Sequence, residues 1–125
     1  MNRLGKAAAL AIVLCLAALS ASEAFAHAAL LHASPSAGQT LSVPPKGISI
    51  EFSTKVDLSK MELHVTAPSG TELALVAPEL QTGMSTTVIR GFKSALAAGT
   101  YSVRWRVFSV DGHWTRGDYT FTVEG

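Results

Sequence analysis

Two places in the 125-residue sequence carry side chains suited to metal chemistry. His27 follows Ala24-Phe25-Ala26, an Ala-x-Ala-like stretch of the kind at which exported chains are cut. Cleavage after Ala26 makes His27 the first residue, with a free α-amine beside its imidazole. Two nitrogens of one residue can close a chelate ring on a metal. The second place is Asp111-Gly112-His113. Residues two apart on extended backbone project to the same side, and Gly112 leaves room for close approach. A carboxylate and an imidazole there make a half-site for a divalent transition metal. His27 with its amine would complete it with three nitrogens and one oxygen. Such a donor set in a tetragonal arrangement suits Cu(II) best among the first-row divalent ions. The competing readings are plain ones. His27 is then an ordinary residue after a cleavage site, and Asp111 bonds backbone amides in a turn with His113 merely exposed.

The elements before His27 read as an export signal, residues 1–26. Arg3 and Lys6 form a basic start, Ala7 to Leu19 an apolar run, and Ser20 to Ala26 the small-residue end. The run is short for a bilayer span. The expected fate is export from the cytoplasm. Residues 27–125 are expected to form one domain, large enough to bury a single core. Cys15, the one cysteine, lies within the signal. The domain therefore has neither disulfide nor thiol ligand and must hold by packing. Of ten Lys and Arg residues, Arg3 and Lys6 precede His27; of nine acidic residues, Glu23 does. Eight of each remain, and no basic stripe is visible, which argues against nucleic acid.

The rest of the chain reads as short strands separated by turn signals. A first strand is expected at Ala28 to His32, followed by a Pro- and Gly-rich connector from Ser34 to Lys46. Alternation marks Ile48 to Phe52, Met61 to Ala67, a short strand at Leu73 and Leu75, Thr86 to Arg90, Tyr101 to Ser109, and Tyr119 to Val123. Seven strands without a helical period predict an all-β, seven-stranded Greek-key β-sandwich. The stretch Leu96 to Tyr101 has the form of a tyrosine corner, in which a Tyr at the start of a late strand bonds back to the preceding connection.

The chain resembles the CopC-like periplasmic copper-binding proteins. The resemblance rests on His27-Ala28-Ala29-Leu30, Ser34-Pro35, Gly38 and Phe52-Ser53 in the first half. In the second it rests on Gly99-Thr100-Tyr101, Arg104-Trp105-Arg106-Val107 and Ser109-Val110-Asp111-Gly112-His113. It implies a cupredoxin-like or immunoglobulin-like sandwich and a Cu(II) site called a histidine brace, one copper per chain. In that site the α-amine and imidazole of the first residue join the Asp and His of an Asp-x-His motif. The ligands then fall on His27, Asp111 and His113. It also implies copper homeostasis or resistance as the role, and an inner-membrane copper transporter of the CopD type as partner. A monomer is expected.

Three departures from the family stand out. Some members carry a Met-rich Cu(I) site, whereas only Met61 and Met84 follow His27 here and they are apart, so no such site is expected. Trp114 stands where the family often has Pro, and Thr54 where it often has an acidic residue. Trp114 is the aromatic expected near the metal, with ordinary packing as the alternative. Trp105 is assigned to the core by parity with Val103 and Val107. His32 and His64 are expected to be exposed and without function.

Two other functions compete with copper binding. A small copper monooxygenase would need an open position for oxygen, which Asp111 would fill. A sandwich interaction module would use no metal. No Ser-His-Asp arrangement, paired carboxylates or phosphate loop occurs, and the chain is expected not to be an enzyme.

Overall fold

The alternation of apolar residues is realised as seven strands in two facing sheets. A computed structural model describes residues 28–125. The strands are β1 (Leu30–Ser34), β2 (Thr40–Leu41), β3 (Gly47–Asp57), β4 (Glu62–Thr66), β5 (Met84–Gly91), β6 (Gly99–Phe108) and β7 (Trp114–Val123). One sheet has the order β1-β3-β5 and the other β2-β7-β6-β4. All pairings are antiparallel except β2 with β7. The all-β sandwich expected from the sequence is therefore the fold. The expected signal segment, residues 1–26, lies outside the described residues, as does His27.

The inward residues are those that the period of two selects. Ile48, Ile50, Phe52 and Val56 of β3 and Val88 of β5 come from one sheet. Leu63 and Val65 of β4, Tyr101, Val103, Trp105 and Val107 of β6, and Tyr119, Phe121 and Val123 of β7 come from the other. Trp105 is core, as expected, and meets Phe52 edge-on with ring centres 5.1 Å apart, so one aromatic pair spans the layers. The tyrosine corner is also present: Tyr101 Oη donates to the Ala97 carbonyl at 2.6 Å.

Two elements differ from the expected set. Thr40 and Leu41, read as connector, pair with Thr122 and Val123 as β2. Two residues between turn formers show no alternation, so only the neighbouring β7 defines them as a strand. Leu73 and Leu75, read as a strand, make no continuous ladder. Glu72 and Leu75 form isolated bridges with Thr66 and Phe92, and both leucines pack against the core from a loop. Their alternation reports burial rather than pairing. β7 also begins five residues before the expected Tyr119.

Candidate metal centre

The site is built from the hairpin that joins β6 to β7. Phe108 pairs with Trp114, so 109–113 must reverse the chain. Gly112 N–H donates to the Ser109 carbonyl at 2.9 Å, and Ser109 N–H to the His113 carbonyl at 2.9 Å. Gly112 has φ +85°, in the left-handed region that favours glycine. Asp111 and His113 therefore stand on a tight turn and not on extended backbone, as their spacing suggested. Reversal within five residues is incompatible with a pleat. Both residues remain exposed on this turn.

Ser109 anchors the turn from below. It continues the inward parity of Val103, Trp105 and Val107 and is only 1% exposed. Its hydroxyl bonds Asp111 Oδ1 and also lies 3.0 Å from the His113 carbonyl. That carbonyl already has the Ser109 N–H, so the single hydroxyl proton is available to the carboxylate. A polar residue at an inward position ending a strand is the signal that would have marked it.

β3 carries the turn toward the start of the domain. Between the pairs Glu51–Thr87 and Val56–Ser85, β3 runs through more residues than β5, an irregularity that releases its backbone from β5. The released groups find other partners. The Lys55 carbonyl accepts Val110 N–H at 2.9 Å, and Val56 bridges Ser109. Ser53 N–H donates to the Ala29 carbonyl at 2.8 Å, and Ser53 Oγ accepts Ala29 N–H at 2.8 Å. Three residues of one strand, Ser53, Lys55 and Val56, thus hold both the Asp-Gly-His turn and the segment that follows His27.

A direct link closes the arrangement. Thr115 Oγ1 donates to the Ala28 carbonyl at 3.0 Å, across 87 positions of sequence. Ala28 is buried, 3% exposed. Thr115 is two residues from His113, and Ala28 directly follows His27 in the sequence. Among the described residues, no three His, Cys, Asp or Glu side chains gather as a metal site. Asp111 and His113 supply two such groups on one turn, and their N and O donors fit a borderline divalent ion.

The remaining candidates lie elsewhere. Trp114 projects from the outer face of its sheet, 43% exposed. Its ring packs on Phe108, with centres 5.1 Å apart, and beneath the Arg106 guanidinium at 3.9 Å. Lys60 Nζ covers the other ring at 4.1 Å. These contacts make Trp114 a packing residue of the sheet surface. His64 is on the same outer face and pairs with Glu72. His32 is exposed on β1. Met61 packs against the core, and Met84 opens β5.

The comparisons with known proteins bear on this geometry. The family described as the CopC domain matches residues 30–124. The chain belongs to the CopC family. It is 32% identical over 118 residues to copper resistance protein C of Xanthomonas campestris pv. juglandis, covering 90% of this chain and 92% of that one. It is 33% identical over 100 residues to protein YobA of Escherichia coli strain K12, covering 80% and 81%. Among solved structures it is similar to PcoC, a methionine-rich copper resistance protein from Escherichia coli. There the TM-score is 0.66 and the identity 30%, covering 79% of this chain and all of that one. CopC from Methylosinus trichosporium OB3b gives a TM-score of 0.65 at 28% identity, covering 78% and 94%.

Proposed function

We propose that this CopC-family chain is an exported, periplasmic Cu(II)-binding protein that sequesters or delivers copper. One Cu(II) is held per chain by the His27 α-amine and imidazole, the Asp111 carboxylate and the His113 imidazole. The observation that carries this reading is the Thr115–Ala28 hydrogen bond at 3.0 Å. It ties the residue next to His27 beside the turn that bears Asp111 and His113. Two weak motifs at opposite ends of the chain become one site only if their ends meet.

The relatives named as copper resistance proteins support copper as the metal. Donor chemistry supports its oxidation state. Amine, imidazole and carboxylate suit Cu(II), whereas Cu(I) selects thioethers. PcoC is named methionine-rich, while only Met61 and Met84 follow His27 here. Asp111 as fourth ligand closes the square, so the site stores or hands on copper and does not activate oxygen. A CopD-type membrane transporter is the expected partner, and the monomer the expected binding unit.

The test is the processing step itself. Protein starting at His27 is compared with protein carrying one extra residue before it. The expected result is a large loss of Cu(II) affinity and a changed EPR spectrum in the extended form, because its amine is locked in an amide. With reductant and oxygen, the processed copper form is expected to give no peroxide above the metal-free protein. Equal affinity and equal spectra in the two forms would remove the amine from the ligand set.

A further inference from the structure

We propose that Thr115 is a positioning residue for the metal site, which presets the N-terminal amine before copper arrives. The inference rests on the proposed ligand set and adds a residue outside it. An N-terminal residue is ordinarily the least ordered part of a chain. A brace built on it must order that residue on binding, unless the fold has done so beforehand.

Thr115 and Ser53 supply that order from two sides. Thr115 Oγ1 holds the Ala28 carbonyl, and Ser53 holds the N–H and the carbonyl of Ala29. Three hydrogen bonds therefore fix two consecutive peptide groups. Between this clamp and the amine there remain only the two backbone rotations of Ala28, whose side chain is buried, and one of the residue before it. The clamp also shares its frame with the other ligands. Thr115 follows His113 by two residues in the same hairpin, and Ser53 lies in the stretch of β3 that bonds Val110 and Ser109. Displacing the clamp therefore moves the amine relative to Asp111 and His113, while the turn keeps its own bonds through Ser109. Position 115 faces inward in the alternation of β7, where Tyr119, Phe121 and Val123 are apolar. A hydroxyl there is used to meet the Ala28 carbonyl.

The experiment uses protein starting at His27. Thr115→Val keeps the shape of the side chain and removes the donor, and Thr115→Ser keeps the donor. Cu(II) affinity is measured by chelator competition, the copper geometry by EPR, and the order of the metal-free segment by hydrogen exchange at the Ala29 amide. The expected result for Thr115→Val is Cu(II) binding about tenfold weaker, comparable to the cost of ordering one residue's backbone. The EPR signal is expected to shift and Ala29 exchange to quicken, and Thr115→Ser is expected to restore all three. In the form extended by one residue, whose amine is blocked, the same Val substitution is expected to leave the residual affinity unchanged.

Three results overturn the proposal. Wild-type affinity and spectrum in a folded Thr115→Val protein would do so, as would equal weakening in the processed and extended forms, which marks a general structural defect. If Thr115→Val does not fold, Ser53→Ala removes the side-chain bond to the Ala29 N–H, leaving the backbone bond to the Ala29 carbonyl, and carries the same expectation in direction; unchanged binding there is the third. The failure of the ligand set itself looks different. In that case extension of the wild-type chain leaves copper binding as it was.

Discussion

At the scale of single residues, the chain uses hydroxyl groups to fasten loops to the sandwich. Tyr101 is the clearest case, with its ring in the core against Phe121 and its Oη on the Ala97 carbonyl. Tyr101→Phe deletes the donor and keeps the ring. It is expected to cost about 1 kcal/mol, the net worth of one such bond, read as a lower urea midpoint at unchanged slope. Tyr101 was legible because the Leu96 to Tyr101 stretch has a characteristic local form. Ser109 and Thr115 carry no such local mark. Each looks like a small polar residue near a turn until its partner is known, and the partner of Thr115 is 87 positions away. The proposed ligands Asp111 and His113 were legible by type and spacing. Their backbone was not, since a spacing of two suits a strand and a turn alike.

At the scale of elements, β6 and β7 carry the candidate centre, and the apolar alternation of β7 shows only from Tyr119 onward. The reason lies in what its first half faces. Thr115 meets the Ala28 carbonyl and Gly117 lies under the Trp105 ring, so neither inward position is a large apolar residue. The alternation that identifies a strand is missing there because neighbours already fill the space. A Cβ on Gly117 would come within 2.4 Å of Trp105 Cζ2. Trp105 is buried against Phe52 and has little freedom to yield. Gly117→Ala is therefore expected to destabilise the fold by about 1–3 kcal/mol, the usual cost of overpacking. Thermal unfolding checks this, and a quenched or shifted Trp105 fluorescence would accompany it.

At the scale of the whole molecule, one buried group links global stability to pH. The Tyr119 hydroxyl has no hydrogen-bond partner among the described residues, and burial pushes its pKa up to about 12 from an ordinary 10.0. The unfolded chain releases this proton first as pH rises. Its contribution is thus fully present below about pH 10 and is lost as pH climbs toward about 12. Tyr119→Phe is expected to flatten that alkaline decline and to leave neutral stability equal or higher, since an unmade hydrogen bond is removed. Denaturant titrations of both proteins at pH 8 and pH 11 measure the difference.

The sequence alone determined the inward and outward sets of most strands, because a period of two is a local property of the chain. It also determined which residue types were available for a metal, and the likeness to a family whose landmarks run from His27 to His113. Tertiary structure decided what stands beside what. Thr40 and Leu41 became a strand only because β7 lies beside them, and Leu73 and Leu75 stayed outside a ladder for want of a continuous neighbour. Bonds from β3 and Thr115 brought the segment after His27 to the Asp-Gly-His turn. Local spacing carries no record of such meetings, since hydrogen bonds across tens of residues form only once the two sheets have closed on their common core.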